Sequence, residues 1–206
     1  MKEVGVVIVG GTGFGAGELL RLLVNHPLVD VVSVVSSSFA GKYIAQTHPH
    51  LRSFYSQQFD GDLSLDKLKG YEKKVVFFAL PHGLSVRAIA SVANDCVREN
   101  VSIIDLSGDL RLNDESLHHE FYPDSPFEKT LRESFVYGSP ELKKDEIEKA
   151  SHVSNPGCLA TASILSLAPI AALVSEAPLV LDAMTGSSGS GKEPRSSTHH
   201  PTRHAN

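Results

Sequence analysis

Tryptophan is absent from this 206-residue chain, and cysteine occurs only at Cys96 and Cys158. Two thiols make no disulfide framework of the kind that staples small secreted domains, so the fold has to rest on an apolar core. With 41% hydrophobic residues the chain can bury one full core and begin another. Basic charge is in deficit: 19 Lys and Arg against 24 Asp and Glu give a formal net charge of −5. That balance supplies no footprint for nucleic acid or an anionic membrane surface. No apolar run reaches the roughly 18 to 20 residues that span a bilayer, and because Met1-Lys2-Glu3 leads directly into a strand-like run no signal peptide is expected. Internal repeats are lacking too. The histidines of the tail, His199, His200 and His204, imply no metal, because Pro201 breaks the helix that would align His200 with His204 and no cysteine or carboxylate cluster adjoins them. A cytoplasmic protein acting on small molecules is expected, or an organellar one whose transit peptide has been removed.

Val4 to Val9 is a nearly continuous β-branched run, the pattern of a parallel strand buried on both faces. It opens into Gly10-Gly11-Thr12-Gly13-Phe14-Gly15-Ala16-Gly17. Glu18 to Asn25 then has an apolar face of Leu19, Leu20, Leu22 and Leu23 and stops at His26-Pro27. A second strand, Val31 to Val35, completes a βαβ unit. Its glycines allow a tight turn and let backbone approach a pyrophosphate at the helix N-terminus, a tight turn alone being the plainer reading. Gly10, Thr12, Gly13, Phe14 and Gly15 are the candidate cofactor contacts. An NAD-preferring fold carries an acidic residue at the end of the second strand, and here Ser36-Ser37-Ser38 holds that place. The hydroxyls of Ser36 and Ser38, with Lys42 close in sequence, favour NADP(H) over an ordinary serine-rich loop.

Lys74 to Leu80 reads as a buried strand ending in Pro81-His82-Gly83, Leu84 to Arg98 as a helix, and Val101 to Leu106 as a strand ending in Ser107-Gly108-Asp109-Leu110-Arg111. Ligands of a doubly wound sheet bind beyond the carboxyl ends of its strands, so His82, Asp105, Ser107 and Arg111 are expected to face one, with a satisfied turn residue the plainer reading of His82, and Pro81 is a further candidate cofactor contact. Arg111 can grip a carboxylate or phosphate in bidentate fashion, or form a plain surface ion pair. Leu112 to Phe135 reads as a long excursion and Lys143 to Ala150 as a short polar helix. A short strand then delivers Ser154-Asn155-Pro156-Gly157-Cys158. Asn155 suits a helix N-cap and Pro156 the first helical position, ahead of an apolar run from Leu159 to Leu173. Cys158 would lie in the first turn, where unpaired N–H groups and the helix dipole favour a thiolate and can hold an oxyanion; a buried packing thiol is the commoner fate of a lone cysteine. Ser154 and Asn155 join Arg111 as candidate substrate contacts. Leu179 to Met184 reads as a strand. Thr185 to Lys192 is a glycine-serine loop, either a linker or an anion cradle in which Ser188 and Gly189 contact cofactor. The first domain ends near Asn155, giving a Rossmann-type doubly wound parallel sheet over 1–155 and a second domain over 156–206.

These stretches also have a joint order. Gly10-Gly11-Thr12-Gly13 with Glu18-Leu19-Leu20-Arg21-Leu22-Leu23, His48-Pro49, Leu80-Pro81-His82-Gly83 and Asp105-Leu106-Ser107-Gly108-Asp109-Leu110-Arg111-Leu112 come first. Tyr137-Gly138-Ser139-Pro140-Glu141-Leu142, Asn155-Pro156-Gly157-Cys158 with Thr161, and Ser188-Gly189-Ser190-Gly191-Lys192 follow. Together they resemble the N-acetyl-gamma-glutamyl-phosphate reductase family of arginine biosynthesis. The resemblance implies NADPH-dependent reduction of an acyl phosphate, N-acetyl-gamma-glutamyl phosphate, to the semialdehyde and phosphate through a Cys158 thioester, as in aspartate-semialdehyde dehydrogenases. It implies Arg111 as a substrate contact, the start of an α+β substrate/dimerisation domain after the Rossmann-type one, and a homo-oligomer, dimer or tetramer. Two departures stand out. Where the family often has an arginine after the serines of the second strand, this chain has Ser38 and Phe39. The family's His-x-His-x-Pro-Glu motif, which carries its catalytic histidine, does not occur among the 206 residues, so roughly the first half or more of a family member is expected. Two other readings remain: the carrier-protein-linked aminoadipyl-phosphate reductase of lysine biosynthesis, and a non-catalytic nucleotide-binding fragment.

Overall fold

The structure, a computed structural model, describes residues 2–174 and 178–192. The chain forms two compact units, Met1–Asn155 and Pro156–Asn206.

In the first unit, β1 (Val4–Val9), α1 (Phe14–Leu23) and β2 (Val29–Val35) make the opening βαβ unit. α1 begins four residues ahead of the expected Glu18, inside the glycine run. Glycine is a poor helix former, but here tertiary packing decides: Ala16, Gly17 and Leu20 are buried, and a Cβ on Gly17 would meet the His48 ring at 2.6 Å. The segment after β2 contains only one-turn pieces, among them α2 (Ile44–Thr47). β3 (Lys73–Phe78), α3 (Ser85–Arg98) and β4 (Val101–Asp105) follow close to expectation. The excursion after β4 carries two short helices that its polar composition does not announce, α4 (Glu115–Phe121) and α5 (Lys129–Glu133). β5 (Phe135–Tyr137), α6 (Pro140–Lys149) and β6 (His152–Ser154) complete the sheet. α6 starts at Pro140 rather than Lys143, and Lys143 is the point where its backbone leaves helical geometry (φ −129°, ψ 29°).

All six strands are parallel, in the order β2-β1-β3-β4-β6-β5. The Rossmann-type reading therefore holds. Successive residues of β1 feed opposite faces: Val6 and Ile8 pack with Leu20, Val34 and Ile44, while Val7 and Val9 pack with Phe78, Ile89 and Ile103. That two-sided burial is why β1 reads as an unbroken apolar run. Register sets up the site. Val35, Val9, Phe78, Asp105, Ser154 and Tyr137 pair across neighbouring strands in one row, so the six carboxyl ends finish level. Strand order reverses between β1 and β3, the switch point at which such sheets take ligands.

The second unit begins with α7 (Cys158–Leu167), passes through a 3-10 turn at Ala168–Ile170 and ends its helical part with α8 (Ala171–Val174). Pro169 lies in that turn and accounts for the break in the expected continuous run. Leu179 to Met184, expected as a strand, has no regular structure, and Val180 and Met184 are almost fully exposed. A largely apolar run with no partner strand among the described residues does not make a strand. Among the described residues no helix is long and apolar enough to cross a membrane and no cluster of ligands could hold a metal ion. His199, His200 and His204 lie outside the described residues.

Candidate active site

The glycine loop divides into two pairs with different reasons. Gly10 has φ +86°, and a Cβ there would meet Ala79 O of the β3 exit at 2.6 Å; a Cβ on Gly11 would overlap the Val34 side chain. These two are required by the sheet itself, and their N–H groups both donate to Val35 O, at 3.1 and 3.0 Å. Gly13 and Gly15, by contrast, face open space, with nothing within 4 Å of either Cβ position. Gly13 is also the N-cap of α1, which has no side-chain cap, so first-turn N–H groups beside an open cradle fit a dinucleotide phosphate. Thr12 is half-buried and Phe14 exposed. His48 braces the loop: its Nε2–H donates to Gly11 O at 2.7 Å.

At the exit of β2 the three serines separate. Ser36 is buried and its N–H donates to Asp60 O at 2.8 Å, whereas Ser37 and Ser38 are exposed. Ser36 thus belongs to the loop's own packing, and Ser38 remains exposed to solvent. Lys42 is exposed, its ammonium 4.5 Å above the Phe39 ring.

The loops after β3 and β4 are stitched together by buried carboxylates. Asp109, fully buried, accepts the Gly83 N–H at 2.8 and 2.9 Å and the Val86 N–H at 3.0 Å, capping the start of α3. Asp105 accepts Ser85 Oγ at 2.6 Å, Ser107 Oγ at 2.7 Å and the Ser107 N–H at 3.0 Å. Burial raises its pKa; the Ser85 and Ser107 hydrogen bonds oppose that rise and the Asp109 charge adds to it. Asp105 and Ser107 therefore turn into the protein and do not face a ligand as expected. Pro81 and His82 stay exposed on the rim, with the Gly108 N–H donating to His82 Nδ1 at 2.7 Å.

Arg111 and Asn155 come together on the same rim. The Arg111 Nε–H donates to Asn155 O at 2.7 Å and Nη2 donates to Leu106 O at 3.1 Å. Asn155 is exposed and continues the β6 ladder through its N–H to Asp105 O at 2.8 Å. It is not the helix cap. Pro156 disfavours helical backbone in the residue before it, and Gly157 is the N-cap of α7. Ser154 is 1% exposed and its Oγ points to Val136 O at 3.4 Å, so it supports the strand pair β5–β6 rather than contacting substrate.

In the second unit Cys158 is the first residue of α7, exposed, with Sγ 3.9 Å from Thr185 Oγ1. Thr161 closes the turn, its N–H and Oγ1 both donating to Gly157 O. Ser188 and Gly189 fall in an exposed 3-10 turn, Ser187–Ser190. The other thiol, Cys96, is fully buried in the core, and burial pushes it up to about 11. Iodoacetamide at neutral pH is expected to alkylate Cys158 and to spare Cys96 until the protein is unfolded. Peptide mapping after partial labelling checks this, and label on Cys96 first would reverse the assignment.

Two groups beneath this rim escaped sequence reasoning. Arg132 and His118 are buried side by side, with Arg132 Nη2 donating to His118 Nδ1 at 3.0 Å and His118 Nε2–H donating to Ser125 O at 2.9 Å. Burial lowers the His118 pKa, and the Arg132 charge lowers it further. Nothing in the polar run 112–135 signals burial, since neither residue follows an apolar period.

Residues 5–150 match the semialdehyde dehydrogenase NAD binding domain and residues 158–206 the semialdehyde dehydrogenase dimerisation domain. Similar curated proteins carry two names. The LysW-L-2-aminoadipate/LysW-L-glutamate phosphate reductase of Sulfurisphaera tokodaii is 40% identical over 96% of this chain and 56% of its own length. The N-acetyl-gamma-glutamyl-phosphate reductase of Methanocaldococcus jannaschii is 39% identical over 100% of this chain and 58% of its own. That of Bacillus cytotoxicus is 37% identical over 98% and 57%. The chain thus spans somewhat over half the length of these relatives. An aspartate semialdehyde dehydrogenase from Francisella tularensis shares the fold at 16% identity, with a TM-score of 0.51 over 92% of this chain and 46% of that one.

Proposed function

We propose that this chain, which belongs to the semialdehyde dehydrogenase family, provides the coenzyme loop and the nucleophile of an NADPH-dependent reductase of N-acetyl-gamma-glutamyl phosphate. The observation that carries the reading is Cys158: an exposed thiol on the first residue of a ten-residue helix, in a chain whose other thiol is buried. Its thiolate attacks the acyl phosphate carbon, the C–O bond to phosphate breaks, inorganic phosphate leaves, and a thioester remains. Bound NADPH supplies the hydride that reduces this thioester. The oxyanion is met by backbone N–H groups at the start of α7, a contribution worth about 2.7 to 4 kcal/mol per donor. Protonation and release of the sulfur then give the semialdehyde and restore the thiol. Arg111 binds a carboxylate of the substrate. The Gly10–Gly15 loop takes the pyrophosphate, and Ser38 with Lys42 takes the 2′-phosphate.

The experiment is phosphate-dependent reduction of NADP⁺ by N-acetylglutamate semialdehyde, the reverse reaction, on the protein that carries this chain. NADPH should bind at least about tenfold tighter than NADH, since a phosphate held by a hydroxyl and an ammonium is worth upwards of about 1.4 kcal/mol. Calorimetry reads this without a tryptophan signal, and equal or tighter NADH binding would remove the assignment of Ser38 and Lys42. A second reading is favoured by the names of relatives such as that of Sulfurisphaera tokodaii: reduction of an aminoadipyl or glutamyl phosphate held on a carrier protein. Activity with the carrier-bound acyl phosphate and none with the free N-acetyl compound would establish it in place of the first.

A further inference from the structure

Tyr122 sits at the carboxyl end of α4, and everything around it fixes its ring. A Cβ on Gly108 would lie inside the space of that ring, so the phenol packs directly on the Gly108 backbone. His82 stands edge-on to it at 5.4 Å between centroids and His118 lies nearly parallel at 5.6 Å. Its backbone is tied in the same place, the Tyr122 N–H donating to His118 O at 2.7 Å and the Ser125 N–H to Tyr122 O at 3.0 Å. The hydroxyl of this immobilised ring is 3.4 Å from Arg111 Nη1 and accepts from it.

The guanidinium of Arg111 is consequently held on three sides, by Asn155 O at Nε, Leu106 O at Nη2 and Tyr122 OH at Nη1. A guanidinium has five N–H donors in a fixed plane. Those three contacts leave one N–H on each terminal nitrogen to donate to a carboxylate or phosphate. Without the Tyr122 contact, Nη1 is the one nitrogen of the three left without an anchor, and the plane can rock about the line from Nε to Nη2.

We infer that Tyr122 is a positioning residue for Arg111, and that the 112–135 excursion exists at this point in the chain to bring its hydroxyl to that guanidinium. The inference rests on the reading of Arg111 as the contact for the substrate's carboxylate. Gly108 belongs to the same device, because any side chain there displaces the ring.

The test is a double-mutant cycle of Tyr122→Phe and Arg111→Ala in the protein that carries this chain, assayed in the phosphate-dependent direction with the semialdehyde varied. Tyr122→Phe keeps the ring on Gly108, and an unchanged thermal midpoint verifies it. Its KM for the semialdehyde should rise about five- to tenfold with kcat within about twofold and the KM for NADP⁺ unchanged, as for loss of one hydrogen bond to a charged group that acts on binding alone. In the Arg111→Ala background the same change should add less than about twofold. Gly108→Ala should reproduce the KM effect of Tyr122→Phe. If Arg111→Ala raises KM and Tyr122→Phe does not, the positioning role is wrong and the reading of Arg111 survives. If Arg111→Ala leaves KM unchanged, the reading of Arg111 fails and takes this inference with it. Equal, multiplying effects in the double variant would show Tyr122 acting independently of Arg111, which also overturns it.

Discussion

Cys158→Ser should lower reductase turnover by on the order of 10⁴-fold or more while leaving NADPH affinity within about twofold, because a hydroxyl is far from ionised at neutral pH and nothing in the first turn of α7 is built to deprotonate one. The thiol sits on the first residue of that helix, where Gly157 caps without a side chain and the unpaired N–H groups remain available to an anion. The proposed coenzyme contacts at Gly13 and Gly15 depend on the β1–α1 turn, which the substitution does not touch. The contrast with Cys96→Ala is informative. That change removes a fully buried thiol from the core around Val86 and Ile89, so it should cost stability and leave turnover of the folded protein within about twofold. Pre-steady-state phosphate release gives the direct reading: wild type should release about one equivalent per site without coenzyme, and Cys158→Ser none. Phosphate release by the serine variant at the wild-type rate would place the nucleophile elsewhere.

What could be read from the residues divides by how local its cause is. β1, β3 and β4 are buried on both faces, and that burial writes itself into the chain as runs of Val, Ile and Phe. The glycine turn was legible for the same reason: Gly10 needs positive φ, and Gly10 and Gly11 need close approach, at consecutive positions after a strand. The start of α1 was not, because Phe14-Gly15-Ala16-Gly17 is weakly helical by itself and folds so only against His48, more than 30 residues away. Ser154 and Asp105 were assigned to the rim correctly by position, yet their side chains point inward, a choice made by partners at Val136 and at Ser85 and Ser107 that no spacing reveals. Asn155 was misread as a cap because local preference at the helix start is outweighed by the β6 ladder that its N–H completes.

The largest loss of stability is expected from Arg132→Met. Arg132 is 1% exposed, donates from Nη1 to Leu112 O at 2.7 Å and from Nη2 to His118 Nδ1, and lies with its guanidinium carbon 4.5 Å over the Phe127 ring. Burial pulls its pKa down, and the charges of Asp109, Asp105 and Glu128 oppose that. Methionine fills similar volume, but it leaves Leu112 O and His118 Nδ1 without a donor and removes a cation whose field reaches two buried carboxylates. Removing one partner from a buried charge cluster costs about 3–5 kcal/mol, which for a chain of this size is a fall in the melting midpoint of roughly 6–20 °C. The pH dependence separates this cause from lost packing. Asp105 has a raised folded-state pKa, so its protonation favours the folded state as pH falls, and losing Arg132 raises that pKa further. His118 has a lowered one, so the wild type loses stability as pH falls below about 6.5, and removing the Arg132 charge relieves part of that depression. Both effects act in one direction: the deficit of Arg132→Met relative to wild type should be largest at neutral pH and above, and should shrink on acidification. A deficit constant between pH 8 and pH 5 in denaturant melts would show that Arg132 serves as filling beside His118 and Phe127 and not as the counter-charge of the cluster.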